Sequence, residues 1–137
     1  MIFQKEIHLN PYPRGFHLIT SEIEKNLPKL PDTGILNLHI KHTSAAITMN
    51  ENADPSVRTD FENFMNKLIP ENHPIYIHTL EGSDDMPAHI KSSLFGQNLS
   101  VPITNGRLNM GTWQGIYLCE FRNRGGSRRL VITVFGE

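Results

Sequence analysis

Apolar and polar side chains alternate over residues 35–41. Leu36, Leu38 and Ile40 fall on one side of an extended chain, and Asn37, His39 and Lys41 on the other, the pattern of a strand with one buried face. Residues 45–49 continue in the same style and predict its hairpin partner, leaving His42 at the connection. Further strands are predicted over residues 2–9, 15–19, 75–80, 99–103, 107–110, 116–121 and 129–135. Turn-forming residues separate them: Asn10-Pro11-Tyr12-Pro13, Asn105-Gly106 with its type I′ hairpin signal, and the longer turn Asn123-Arg124-Gly125-Gly126.

Helical spacing occurs in three places. Ser21 and Glu24 form a capping-box pattern ahead of Ile23, Leu27 and Leu30, with Pro28 and Pro31 closing the helix. Asp54-Pro55 reads as an N-cap and first helical residue, followed by Val57, Phe61, Phe64, Met65 and Leu68 on one face and ended by Pro70. A shorter helix is predicted from Pro87 to Phe95, stopped by Gly96, with Asp84 or Asp85 as its cap. This count predicts an α+β fold: a β-sandwich of mixed or antiparallel sheets with about three helices packed on it, in a single domain over residues 1–137.

Composition narrows the function. Thirteen basic against 14 acidic residues give a net charge of −1, which argues against a nucleic-acid binder. A single cysteine, Cys119, excludes an internal disulfide and a cysteine-based zinc ribbon and fits a reducing compartment. No apolar run approaches the ~20 residues that span a bilayer, so no membrane association is expected and the cytoplasm is the expected location.

Two polar segments, His42 to Pro55 and Glu81 to His89, concentrate the chemistry. His42, His78 and His89 are candidate ligands for a zinc-like divalent metal, although their spacing matches no dense zinc motif. Glu51, Asp54, Asp84 and Asp85 are candidates for holding magnesium against a phosphate or for a general base; helix capping is the competing role for all but Glu51. Arg122, Arg124, Arg128 and Arg129 surround a glycine turn and suit phosphate recognition, unless they merely decorate a solvated hairpin tip. Glu120 shares a strand face with Ile116 and Leu118, so it needs a partner: a structural arginine or an active-site group. Trp113-Gln114 offers an aromatic wall and an amide for a planar ligand, or a core tryptophan. Cys119 reads as a buried thiol rather than a nucleophile.

The run His42-Thr43-Ser44-Ala45 through Asn50-Glu51-Asn52-Ala53-Asp54-Pro55 resembles the signature of the YjbQ family of small bacterial and archaeal proteins. So do Glu81 through Ser93 and Gly111-Thr112-Trp113-Gln114-Gly115-Ile116-Tyr117-Leu118, and together the similarity covers essentially the whole chain. The resemblance implies a β-sandwich domain assembled as a homotrimer. It also implies a weak, secondary thiamine-phosphate synthase activity that joins an aminopyrimidine diphosphate to a thiazole phosphate. It carries His42, Asn50, Glu51, His78, Asp85, His89, Trp113 and Gln114 into a pocket.

On that reading Glu51, Asn50 and Asp85 do the catalytic work, with Glu51 and Asp85 holding the cation that neutralises departing diphosphate. Arg122 and Arg128 receive phosphate, and Trp113 stacks on the pyrimidine. Two other readings stand beside this transferase: a metal-dependent enzyme of different substrate built on the three histidines, and a non-catalytic trimeric module that binds a small anionic metabolite.

Overall fold

The alternating segments build two antiparallel sheets, and the computed structural model describes all of residues 1–137. In chain order the elements are β1 (Ile2–His8), β2 (Gly15–Leu18), α1 (Thr20–Lys25), β3 (Thr33–Ile40), β4 (Ala45–Glu51), α2 (Pro55–Leu68), α3 (Asp85–Phe95), β5 (Asn98–Thr104), β6 (Arg107–Leu108), β7 (Gln114–Glu120) and β8 (Arg129–Gly136). One sheet has the order β1-β8-β3-β5-β6 and the other β2-β7-β4. Every strand pair is antiparallel.

The result is three layers. Leu36, Leu38 and Ile40 of β3, Val101 and Ile103 of β5, and Leu130, Ile132 and Val134 of β8 pack against Ala45, Ile47, Ile116 and Leu118 of the smaller sheet. The opposite face of that smaller sheet carries Phe16, Ala46, Tyr117 and Cys119, which pack against Met65 of α2 and Ala88 of α3. Thus β7 is buried on both faces, which is why its sequence reads as a nearly continuous apolar run. Each fully buried Leu or Ile in these layers contributes roughly 1.5–3 kcal/mol before chain entropy is charged against it.

Three expectations from the sequence are corrected. β4 is not the hairpin partner of β3: β5 and β8 already occupy both edges of β3, so the chain crosses at Lys41–Ser44 and β4 pairs with β7. The segment 75–80 forms no strand, because no sheet edge reaches it, and Ile77 and Leu80 are 97% and 98% exposed. The capping box at Ser21 is not made either. Thr20 instead accepts a hydrogen bond on Oγ1 from the Ile116 backbone N–H at 2.9 Å, tying α1 to β7. Asp54 does cap α2, accepting from the Ser56 N–H at 2.9 Å. Of the five residues expected on the core face of α2, Met65 is buried while Phe64 and Leu68 lie 63% and 58% exposed; the loop 71–84 begins just beyond.

Candidate functional site

The site is organised by Asp85 at the start of α3. Its side chain is 2% exposed, and one oxygen, Oδ2, meets two imidazoles: His78 Nε2 at 2.8 Å and His89 Nε2 at 3.1 Å. The i, i+4 spacing of Asp85 and His89 puts both on one face of α3, while the loop 71–84 delivers His78. Arg122 closes the other side: Nη1 donates to Asp85 Oδ1, Nε donates to Asp84 Oδ2 at 3.0 Å, and Nη2 donates to the Glu81 carbonyl at 2.9 Å. The Asn123 N–H donates to the same Asp84 oxygen at 2.9 Å. Neither aspartate caps its helix, because both carboxylates are committed to Arg122, and charge-assisted bonds of that kind outcompete a neutral N–H.

The protonation of His89 follows from its neighbours. Nδ1 lies 2.9 Å from the Thr43 carbonyl oxygen, which only accepts, so Nδ1 carries a proton. In neutral His89 the Nε2 lone pair then faces a carboxylate oxygen, which also only accepts. That contact is favourable if His89 is an imidazolium or if a cation lies between the two groups. A ring held by a carbonyl on one nitrogen, with the other aimed at shared ligands, is the usual preparation of a metal-binding histidine. The ligand atoms of His78, Asp85 and His89 all lie within 4.8 Å of one another, and their chemistry, two imidazole nitrogens and one carboxylate, suits zinc or a similar divalent ion. Burial works to raise the Asp85 pKa, but His78, His89 and Arg122 outweigh it and hold the carboxyl below its ordinary range. Asp84 behaves alike: burial raises it, while the Asn123 N–H and Arg122 bring the net value down.

Other residues singled out by the sequence are placed elsewhere. His42 does not join the cluster, because its Nε2 accepts the Arg129 backbone N–H at 2.8 Å, leaving the neutral ring no lone pair for a metal. Burial and the nearby Arg128 and Arg129 lower its pKa and favour that neutral form. Asn50, Glu51, Trp113 and Gln114 gather at the other end of β4 and β7, where Glu51 pairs with Gln114. α3 meets β4 at its start, where Ser92 Oγ donates to the Ala45 carbonyl at 2.8 Å. Glu51 lies six residues further along, roughly 20 Å at strand rise, so Glu51 and Asp85 of one chain do not share an ion. Glu51 Oε2 accepts the Asp54 N–H at 3.3 Å, a loop-closing role. Gln114 Oε1 accepts the Gly111 N–H at 2.8 Å, and Trp113 is 64% exposed at the tip of that turn rather than in the core.

Arg128 is corrected from substrate binder to structural residue. It is 4% exposed and forks onto Glu120, with Nε to Oε1 at 2.7 Å and Nη2 to Oε2 at 2.6 Å. Nη2 also donates to the Ser44 carbonyl at 3.2 Å, so this pair fastens the 121–128 loop to the crossover beside the site. Gly125 lies against the same carboxylate: a Cβ there would come within 2.2 Å of Glu120 Oε1. Cys119 is fully buried, and burial pushes its thiol pKa up, so it is inert. Unforeseen from the sequence were the role of the Thr43 carbonyl, a backbone group with no side-chain signature, and the anchoring of Arg122 by Asp84, a residue read as a cation holder, a general base or a cap.

The sequence model of one protein family, UPF0047 protein YjbQ-like, matches residues 5–137. Among individual proteins, the chain is 52% identical over 139 aligned positions to UPF0047 protein YjbQ of Salmonella typhimurium, covering all of both chains. It is 44% identical over 104 positions to UPF0047 protein YugU of Bacillus subtilis, covering 75% of this chain and 76% of that one. Among solved structures, a conserved hypothetical protein from Thermus thermophilus superposes with a TM-score of 0.81 at 34% identity, over 94% of this chain and 97% of that chain. The fold is also that of a YbjQ-like protein of unknown function from Sulfolobus solfataricus, with a TM-score of 0.85 at 23% identity over 100% and 99% of the two chains. With a match that spans nearly the whole sequence and relatives aligned from end to end, the chain belongs to the UPF0047 YjbQ-like family.

Proposed function

We propose that this protein is a divalent-metal-dependent enzyme acting on a small phosphorylated molecule, with His78, Asp85 and His89 as the metal ligands. The observation that carries the reading is the meeting of two imidazole Nε2 atoms on one buried carboxylate oxygen, with the second nitrogen of His89 taken by the Thr43 carbonyl. When bound, the ion would supply Lewis-acid neutralisation of phosphate oxygens. Arg122 holds Asp85 and Asp84 in place and keeps N–H groups to spare, since its five donors make three bonds within the chain. His78 is half exposed, so substrate has access from the side of the loop.

The specific reaction we attach to this site is the one implied by the resemblance of the 42–55, 81–93 and 111–118 segments: displacement of diphosphate from an aminopyrimidine diphosphate by the nitrogen of a thiazole phosphate. A departing diphosphate needs concentrated positive charge, which a metal with Arg122 beside it provides. The homotrimer belongs to the same proposal. Turnover of this substrate pair, measured by thiamine phosphate formation, should stop on chelation and return with added metal, and should be lost in Asp85→Asn. Turnover indifferent to both treatments would sink the metal-dependent reading. Metal-dependent hydrolysis of simple phosphate esters without condensation would keep the site and replace the reaction.

A further inference from the structure

Glu81 is anchored by its backbone and left free at its side chain. Its carbonyl accepts from Arg122 Nη2 at 2.9 Å, and the same guanidinium holds Asp84 and Asp85. Gly82 follows at φ +104°, a turn open to glycine, and a Cβ there would stand 3.0 Å from Asp84 Oδ1. The backbone at Glu81 is thus fixed at the rim of the candidate metal centre. Its carboxylate, by contrast, is 65% exposed, with Oε2 standing 4.0 Å from His78 Nε2, too far for a hydrogen bond. The Glu81 and Asp85 carboxyls are also close enough to share a proton, which helps to hold the Asp85 pKa down. With both ionised, like charges face each other, and a cation between them removes the repulsion.

Three protein ligands leave a zinc-like ion one open position, and a fourth closes it. His78, Asp85 and His89 are gathered already, with Glu81 beside His78 on the solvent side. We propose that Glu81 is a displaceable fourth ligand, which closes the metal centre at rest and yields its place to the phosphate of an arriving substrate. The proposal rests on the metal-dependent reading and adds how that site opens. Asp85 is buried and bonded to Arg122, and His89 is held at Nδ1 by the Thr43 carbonyl, so neither can leave cheaply. The Glu81 side chain has no such second hold. Carboxylate and phosphate oxygens are both hard anionic donors, so the exchange leaves the charge around the ion nearly unchanged, whereas a neutral ligand would not.

One ratio sets two observables. If K closed centres exist for each open one, metal affinity is raised by a factor of 1 + K and apparent phosphate affinity is lowered by the same factor. The test chelates the full chain, reloads it with cobalt(II) and follows visible absorption, which reports the ligand set. With K of about 2–9, Glu81→Gln should bind cobalt about threefold to tenfold more weakly. Inorganic phosphate should bind the cobalt-loaded variant more tightly by a matching factor. The two cobalt spectra should differ before phosphate is added and coincide at saturating phosphate. Identical spectra before phosphate, or phosphate binding unchanged or weakened in the variant, would overturn the inference while leaving the three-ligand centre standing. No cobalt uptake by the unaltered protein would remove the centre itself, and the inference with it. Should Glu81→Gln fail to fold, Glu81→Ala gives the same comparison.

Discussion

Replacing Arg128 by alanine should be among the most damaging single changes in the protein, and the reason is Glu120. That carboxylate is 0% exposed and its two oxygens take bonds from Arg128 at 2.7 and 2.6 Å; without the guanidinium only the Arg122 N–H, at 3.1 Å, remains. Breaking one side of a buried pair leaves an unpaired charge and costs about 3–5 kcal/mol. For 137 residues, an unfolding entropy of about 0.3 kcal/mol/K near the midpoint turns that loss into a fall in Tm of roughly 10–17 °C. Calorimetry of the single variant gives the number. The double variant Glu120→Gln with Arg128→Met should recover most of it, since removing both charges removes the desolvation cost as well. A loss under about 1 kcal/mol for Arg128→Ala, the scale of a solvated surface pair, would refute the structural role and restore Arg128 as a candidate for binding phosphate.

Gly125→Ala should cost roughly 1–3 kcal/mol in urea denaturation, because its Cβ must displace the buried Glu120 carboxylate from 2.2 Å. Gly126→Ala, at φ +72° with no atom within 4 Å of its Cβ, should cost only the ~1–2 kcal/mol of a left-handed backbone. Lowering the pH should destabilise the chelated protein through His42, whose folded pKa is depressed by burial and by Arg128 and Arg129. The unfolded chain takes the proton first, so stability is complete above ~6.5 and drains away as pH falls from there through the lower folded value. His42→Asn should flatten that slope between pH 7.5 and 5.5, and an unchanged slope would exonerate His42. Light scattering behind size exclusion should report three chains per particle; a monomer at micromolar concentration would remove the homotrimer from the proposal.

What the sequence disclosed follows from the range of the interactions concerned. Strand alternation and helix caps are local, so β3, β5, β8, the Asp54 cap and the end of α3 at Gly96 were all legible. Sheet assignment is not local: β4 looked like the partner of β3 until both edges of β3 proved occupied. The loop 71–84 misled for a related reason, since alternation is local and says nothing of whether a sheet edge is there to receive it; Ile75, Ile77 and Leu80 stay exposed. Among site residues, His78, Asp85, His89 and Arg122 come together as candidates, whereas His42 and Arg128 carry the same chemical groups spent on structural bonds. No spacing rule separates a spent lone pair from a free one. That Glu120 needs a partner was predictable, because a carboxylate on an apolar strand face must be paired; that the partner is a structural arginine rather than an active-site group, and Arg128 among the arginines, required coordinates.

The most direct measurement is zinc uptake by the chelated, dialysed chain at neutral pH, followed by calorimetric titration. The unaltered protein should bind close to one ion per chain and release protons as it does so. Asp85→Asn and His89→Ala should each lose at least tenfold in affinity, while His42→Asn and Glu51→Gln should match the unaltered protein. Absence of uptake, or uptake that survives loss of Asp85 and His89 but not of His42 or Glu51, would contradict a metal centre built on His78, Asp85 and His89.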